Sequence, residues 1–344
     1  MQDLKNTAAE NFGGPATKLA PKEHQFSLEE VPSLAGKVAL VTGGSEGIGY
    51  GCTHTLISHG ISKLFCISLS RDVVENAKAA ISEEIGADAA EKFVWLQCDL
   101  SDWAKTKETA EKIKSHTDRL DIVINNAARG IMTHQLAPSN GVDLHMASNH
   151  MGHVVLTSHL LPLLKKTADA GHTVRVVNLA SNAHQNAPAE TKFLNLAELN
   201  KDYGATTQYG RTKLANILYT RYLARHLSSS HPKILVNATH PGIVETAQTR
   251  KHILEPYPLA GYGLKYLLNP AKKDIFEGCM STMFASTKTE KSGEYITPPA
   301  IPEQGSDMSR DEGLGEQLMR LTRELVADKT AELSREQGCP FRDF

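Results

Sequence analysis

The chain has 344 residues, and 37 Lys+Arg against 39 Asp+Glu leave a formal charge of −2 at pH 7. A balance this close to neutral argues against a nucleic-acid binder, which carries a basic excess or stripe, and no apolar run approaches the roughly 18 residues of a membrane span. Five cysteines (Cys52, Cys66, Cys98, Cys279, Cys339) without C-x-x-C spacing argue against zinc and a disulfide framework, and predict reduced thiols in the cytoplasm.

Residues 1–36 are polar, carry Gly13-Gly14-Pro15 and Pro21, and predict an irregular leader. Its acidic residues, among them Asp3, Glu10 and Glu23, fit neither a secretory signal nor an Arg-rich transit peptide. The pattern then sharpens. Lys37-Val-Ala-Leu-Val-Thr42, Leu64-Phe-Cys-Ile-Ser-Leu69, Phe93-Val-Trp-Leu96 and Leu120-Asp-Ile-Val-Ile124 read as strands. Val174-Arg-Val-Val-Asn178, Ile234-Leu-Val-Asn237 and Gly293-Glu-Tyr-Ile296 complete the set. Helical stretches at 48–59, 72–86, 101–116, 143–167, 210–228 and 270–286 lie between them. In the fifth of these, Leu214, Ile217, Leu218 and Tyr222 recur with the spacing of a half-buried helix. Such alternation predicts an α/β fold: a single doubly wound parallel sheet with helices on both faces, over residues 37–300. Residues 301–344 predict a C-terminal extension with a charged helix at 312–334.

The first strand runs into Thr42-Gly43-Gly44-Ser45-Glu46-Gly47-Ile48-Gly49. A strand, a glycine turn and a helix suit a dinucleotide pyrophosphate, because bare backbone approaches it closely and the helix N-terminus offers free N–H groups. Glycine turns alone are common. Four further motifs follow in order: Asp99-Leu100, Asn125-Asn126-Ala127, Tyr209-x-x-x-Lys213 and Pro241-Gly242. Together they resemble the short-chain dehydrogenase/reductase family over about residues 37–300. Asn149-His150-x-Gly152-His153 and Thr212-Lys213-Leu214-Ala215-Asn216 are most similar to its retinol-dehydrogenase-like branch.

The resemblance implies a Rossmann-type fold and a nicotinamide cofactor. It implies that Thr42, Gly43, Ser45, Gly47, Ile48, Gly49, Asp99, Leu100, Asn126, Ala127, Pro241, Gly242, Val244 and Thr246 bind it, with Tyr209 and Lys213 at the nicotinamide end. The second strand ends at Ser70-Arg71, which predicts a 2′-phosphate site and so NADP. Asp72 and Glu46 pull toward NAD, which stands as the alternative.

Tyr209 and Lys213 are four apart and share one face of a helix. A tyrosine near pKa 10 needs about three pH units, or ~4 kcal/mol, to half-ionise at pH 7. A nearby ammonium, with the positive ring of an oxidised nicotinamide, supplies much of that. By the resemblance Ser181 bonds the substrate oxygen, Tyr209 is the general acid/base, Lys213 lowers its pKa, and Asn149 holds a proton-relaying water. Tyr203 has Thr207 four residues on and is excluded as the donor. Ala128 stands where the family's usual motif ends in glycine, and residues 184–208 predict a loop over the site. His145, His150, His153 and His159 share helical spacings, but without cysteine or carboxylate company they predict satisfied helix histidines and no metal.

Residues 243–268 carry Ile253, Leu254, Tyr257, Leu259, Tyr262 and Tyr266, which predict a substrate lobe with an apolar or aromatic wall. The expected activity is that of an NADP-dependent carbonyl reductase, reversible as an alcohol dehydrogenase, on a small hydrophobic carbonyl or alcohol. An NAD-dependent alcohol dehydrogenase is the enzymatic alternative, and a non-catalytic nucleotide sensor the alternative of another class. The resemblance also implies a homodimer through the helices at 143–167 and 210–228, which the leader or the extension would block or replace.

Overall fold

A computed structural model describes residues 2–244 and 273–331. Eight strands form one sheet: β1 (Val38–Thr42), β2 (Lys63–Ser68), β3 (Phe93–Gln97), β4 (Ile122–Asn125), β5 (Val174–Leu179), β6 (Ile234–Thr239), β7 (Tyr295–Thr297) and β8 (Ile301–Glu303). Their order is β3-β2-β1-β4-β5-β6-β7-β8, parallel throughout except that β8 runs antiparallel to β7. Every residue of β1, β4 and β6 is buried, which explains their unbroken apolar runs: both faces of a parallel sheet are covered.

Two apolar clusters mark the two faces. On one, the helices Trp103–His116, His153–Asp169 and Ala205–Leu227 pack Ile113, Leu160, Leu214 and Leu218 against Leu40, Val123 and Val176. On the other, Gly47–Ser58, Arg71–Glu84 and Ile275–Thr287 pack Leu56, Val74 and Met283 against Ala39, Val41 and Ile124. Burying a leucine or isoleucine at each such position contributes about 1.5–3 kcal/mol.

Three segments differ from expectation. The leader is not irregular throughout, since Gln2–Asn11 form a helix. The expected extension adds β8 to the sheet, and its helix Glu312–Lys329 sinks Leu314, Leu318, Met319, Leu321, Leu325 and Val326 into the first cluster. Glu316 meets Arg225 and His226 beside that seam. Residues 184–208 turn toward this helix, and none of them lines the cavity described below. Phe193 is fully buried at φ 52°, a conformation strained for an aromatic residue. The Glu198 carboxylate fixes it by accepting from the N–H groups of Lys192, Phe193 and Leu194, while Gln317 donates to the Phe193 carbonyl.

Candidate active site

Between β1 and β4 the strand order reverses, the place where an open α/β sheet forms a crevice at its C-terminal edge. A cavity of about 520 Å³ lies there. In strand order, Ser70, Asp99 and Leu100 line one end of it, Gly43, Ser45, Glu46, Gly47, Ile48, Asn126 and Ala127 the middle, and Ser181, Tyr209, Pro241, Gly242 and Val244 the other end. Thr42, Gly49, Arg71, Asn149 and Lys213 do not line it. Thr246, and the lobe from residue 245 to 268, lie outside the described residues.

The turn is shaped by close contacts. A Cβ on Gly49 would stand 2.0 Å from the Gly43 carbonyl oxygen, and one on Gly43 would stand 2.9 Å from Asn126 Nδ2. Gly43 and Gly47 have φ of 62° and 55°, where a side chain is strained. No side chain caps the Gly47–Ser58 helix, so its first N–H groups are left for an anion. Bare backbone, free donors and a cavity at the helix N-terminus fit a nucleotide pyrophosphate.

Thr42 acts from behind the turn. Its hydroxyl oxygen accepts from the N–H groups of Asn126 and Ala127, both at 2.9 Å, and lies 2.8 Å from His153 Nε2. Asn126 in turn donates to the Thr42 and Gly43 carbonyls. The clasp ties β1 to β4 and gives His153 a structural task, with burial pushing its ring down to about 4. His145 faces the Gly130 carbonyl and His150 packs edge-on to Tyr219. Ala128 lines the cavity without the left-handed backbone that would demand glycine.

At the 2′ end Ser70 reaches the cavity, while the Arg71 guanidinium lies over the Trp95 ring at 5.3 Å and only 3.7 Å from Glu75. Its side chain is 71% exposed.

Ser181 and Tyr209 meet at the other end. Ser181 opens the turn after β5, and its Oγ accepts from the Ala183 N–H at 3.2 Å. Tyr209 is half-buried on the Ala205–Leu227 helix, one turn before Lys213, whose Nζ sits 5.3 Å over the phenol ring. Lys213 Nζ donates to the Leu179 carbonyl at 2.9 Å, and burial lowers its ammonium to about 8. Burial pushes the Tyr209 hydroxyl up to about 12, opposed by its hydrogen bond with Ser181. Asn149 lies in a π turn, Ala147–Gly152, with Oδ1 accepting from the Arg129 N–H and Nδ2 donating to the Arg129 carbonyl. It positions the loop carrying Arg129 and Met132, two cavity residues that the motifs did not indicate. Their signal was position alone, immediately after the Asn-Asn-Ala strand end.

Comparison with known proteins agrees with this geometry. The short chain dehydrogenase family model matches residues 37–193. A Neurospora crassa protein named "Putative oxidoreductase bli-4, mitochondrial" is 51% identical over 100% of this chain and 84% of its own length. Retinol dehydrogenase 12 of Bos taurus is 34% identical over 77% of this chain and 78% of its own. Among solved structures, the Pseudomonas aeruginosa RhlG/NADP active-site complex superposes with a TM-score of 0.58 at 27% identity, covering 77% of this chain and 95% of that one.

Proposed function

Because the chain belongs to the short-chain dehydrogenase/reductase family, in its retinol-dehydrogenase-like branch, and is an NAD(P)-dependent oxidoreductase, we propose that it is an NADP-dependent carbonyl reductase, reversible as an alcohol dehydrogenase, for hydrophobic ketones, aldehydes or secondary alcohols. The observation that carries this reading is one cavity that runs from the turns after β2 and β3, past the glycine turn, to Ser181 and Tyr209. A bound nicotinamide supplies or accepts the hydride. Gly43 through Ile48 hold its pyrophosphate, and Pro241 and Gly242 flank the reacting end. Ser181 holds the substrate oxygen and Tyr209 gives it a proton in reduction or takes one in oxidation. Lys213 sets the charge beside the phenol, and Asn149 holds the Arg129 backbone beside the cavity and would hold a proton-relaying water.

The 2′-phosphate preference is supported by Ser70 in the cavity and by the exposed Arg71 that follows it in the chain, and RhlG holds NADP. Glu46 in the cavity favours NAD as the second reading, since a carboxylate there repels a phosphate. Four buried free thiols among the described cysteines support a reducing compartment: the cytosol is our reading, and the mitochondrion of the bli-4 name is its rival. No described helix is long and apolar enough to cross a membrane. The Glu312–Lys329 helix covers Leu218 and Tyr222, part of the face expected to pair two copies, which supports a monomer.

The test is NADPH oxidation over a panel of hydrophobic ketones and aldehydes, with Tyr209→Phe as control. Tyr209→Phe is expected to lose about 10²–10⁴-fold in turnover while binding cofactor as before. Full turnover by this variant refutes the mechanism, a tenfold preference for NADH refutes the cofactor, and no turnover of any carbonyl raises the sensor reading.

A further inference from the structure

The N-terminal helix Gln2–Asn11 buries only Ala9 and Glu10, too little apolar surface to explain why it docks. Its last carbonyls explain it. A helix end leaves carbonyl groups without partners inside the helix, and here they converge on one place. Lys273 Nζ donates to the Ala9 and Phe12 carbonyls at 2.9 and 2.8 Å, and the Ile243 N–H donates to the Asn11 carbonyl at 3.3 Å. The Glu10 carbonyl between them lies so near Gly242 that a Cβ there would stand 2.3 Å from its oxygen.

The helix thus rests on the turn that follows β6. The sheet holds this stretch at His240, whose N–H donates to the Ile296 carbonyl. Beyond it Pro241, Gly242 and Val244 line the cavity, and their backbone leans on Lys273 and the helix. The Lys273 N–H donates to the Ile243 carbonyl at 2.9 Å, Val244 pairs with Lys273 in a parallel bridge, and a Cβ on Gly242 would meet Lys273 Cε at 2.7 Å. Lys273 is fully buried, a costly place for an ammonium that carbonyls at the negative end of a helix offset. Four residues on, Glu277 Oε1 accepts from the Gly14 N–H at 2.6 Å, and a Cβ on Gly13 would stand 2.3 Å from Glu277 Oε2.

We infer that Lys273 is a positioning residue of the cofactor site: it clamps the end of the N-terminal helix onto the Pro241-Gly242 turn, and the helix, which does not itself line the cavity, thereby holds the nicotinamide end in place. The inference rests on the reading above that Pro241 and Gly242 flank the reacting end of the cofactor, and it deepens that reading by making the leader part of the site. Burial draws the Lys273 ammonium down to about 8 against the charges of Glu277, Glu10 and Asp274, so the clamp is charged at neutral pH, where the test is made.

Two full-length variants loosen the clamp from opposite sides. Lys273→Met removes the donor to Ala9 and Phe12. Gly13→Val, at φ −89° where a side chain is allowed, drives the leader off Glu277. Each is titrated calorimetrically, well below its melting temperature, with NADP and with adenosine 2′,5′-bisphosphate, which has no nicotinamide half. Affinity for NADP is expected to fall about tenfold while that for the bisphosphate stays within about twofold. Amide exchange over residues 7–14 rises in step. Faster exchange with native NADP affinity overturns the inference. So does an equal loss of both ligands, or unchanged exchange in Lys273→Met. Should Lys273→Met not fold, Gly13→Val decides by the same two affinities. If the native chain binds NAD and not NADP, NAD and AMP take their places, so the choice of cofactor is settled apart from the role of Lys273. A native chain that binds the whole cofactor no more tightly than its adenosine half refutes the placing of the nicotinamide and the inference with it, whereas variants that keep a native preference for the whole cofactor overturn the inference alone.

Discussion

Glu10 offers a stability measurement that needs no substrate. It is 8% exposed on the N-terminal helix, with Oε1 3.5 Å from His240 Nε2. Burial, then the charge of Glu303, push its carboxyl up to about 7 against the pull of Lys273, from an ordinary value of 4.5. The folded chain thus holds this proton more tightly than the unfolded chain. Its contribution to stability is whole below pH 4.5 and is lost as pH rises through about 7. The gap of about 2.5 pH units corresponds to at most about 3 kcal/mol. Glu10→Gln keeps a neutral side chain at every pH. By thermal or urea unfolding, the variant and the native chain are expected to differ by less than about 1 kcal/mol at pH 5. At pH 8 the variant is expected to be the more stable by up to about 3 kcal/mol, or roughly 4 °C in a chain of this size. A difference that stays flat between pH 5 and 8, or that favours the native chain at pH 8, refutes the reasoning.

Two further expectations follow from packing. Gly49→Ala places a methyl 2.0 Å from the Gly43 oxygen and 2.5 Å from Asn126 Nδ2, so the turn must open. The expected cost is about 1–3 kcal/mol of stability with at least a tenfold loss of cofactor affinity, read by calorimetric titration; unchanged affinity counts against the cradle. Leu318→Ala empties a fully buried site under the C-terminal helix, with an expected loss of about 2–5 kcal/mol in urea unfolding. Its cofactor affinity stays native at low urea, and a loss under 1 kcal/mol would show that the helix is a loose appendage.

The seven parallel strands were legible because burial on both faces writes itself as short β-branched runs. Ser181 and Tyr209 were legible because family motifs are local in sequence, and the sheet brings them together. The leader helix left no such trace: it buries only Ala9 and Glu10, so no apolar stripe announces it. β8 contains Pro302 in three residues and pairs only along one edge. The C-terminal helix did carry a stripe, Leu314, Leu318, Leu321 and Leu325, beneath a charged composition that drew attention to its other face. Thr42 and Asn149 show a different limit. Both engage backbone that the sequence could not place beside them. Spacing along the chain says which residues share a face, and it is silent on partners 20 or 84 residues away.

The docking of the leader has a consequence for how the chain acquires its form during synthesis. Gly14 meets Glu277, Ala9 meets Lys273 and Phe12 meets Lys273 across sequence separations of 263, 264 and 261 residues. At translation rates of about 5–20 residues per second, the first helix waits from roughly ten seconds to a minute for its partners. With two buried residues it has little reason to stay helical alone. Its seating on the Pro241-Gly242 turn is then a late event in biogenesis, and the ordered leader serves as a mark that synthesis has passed Glu277.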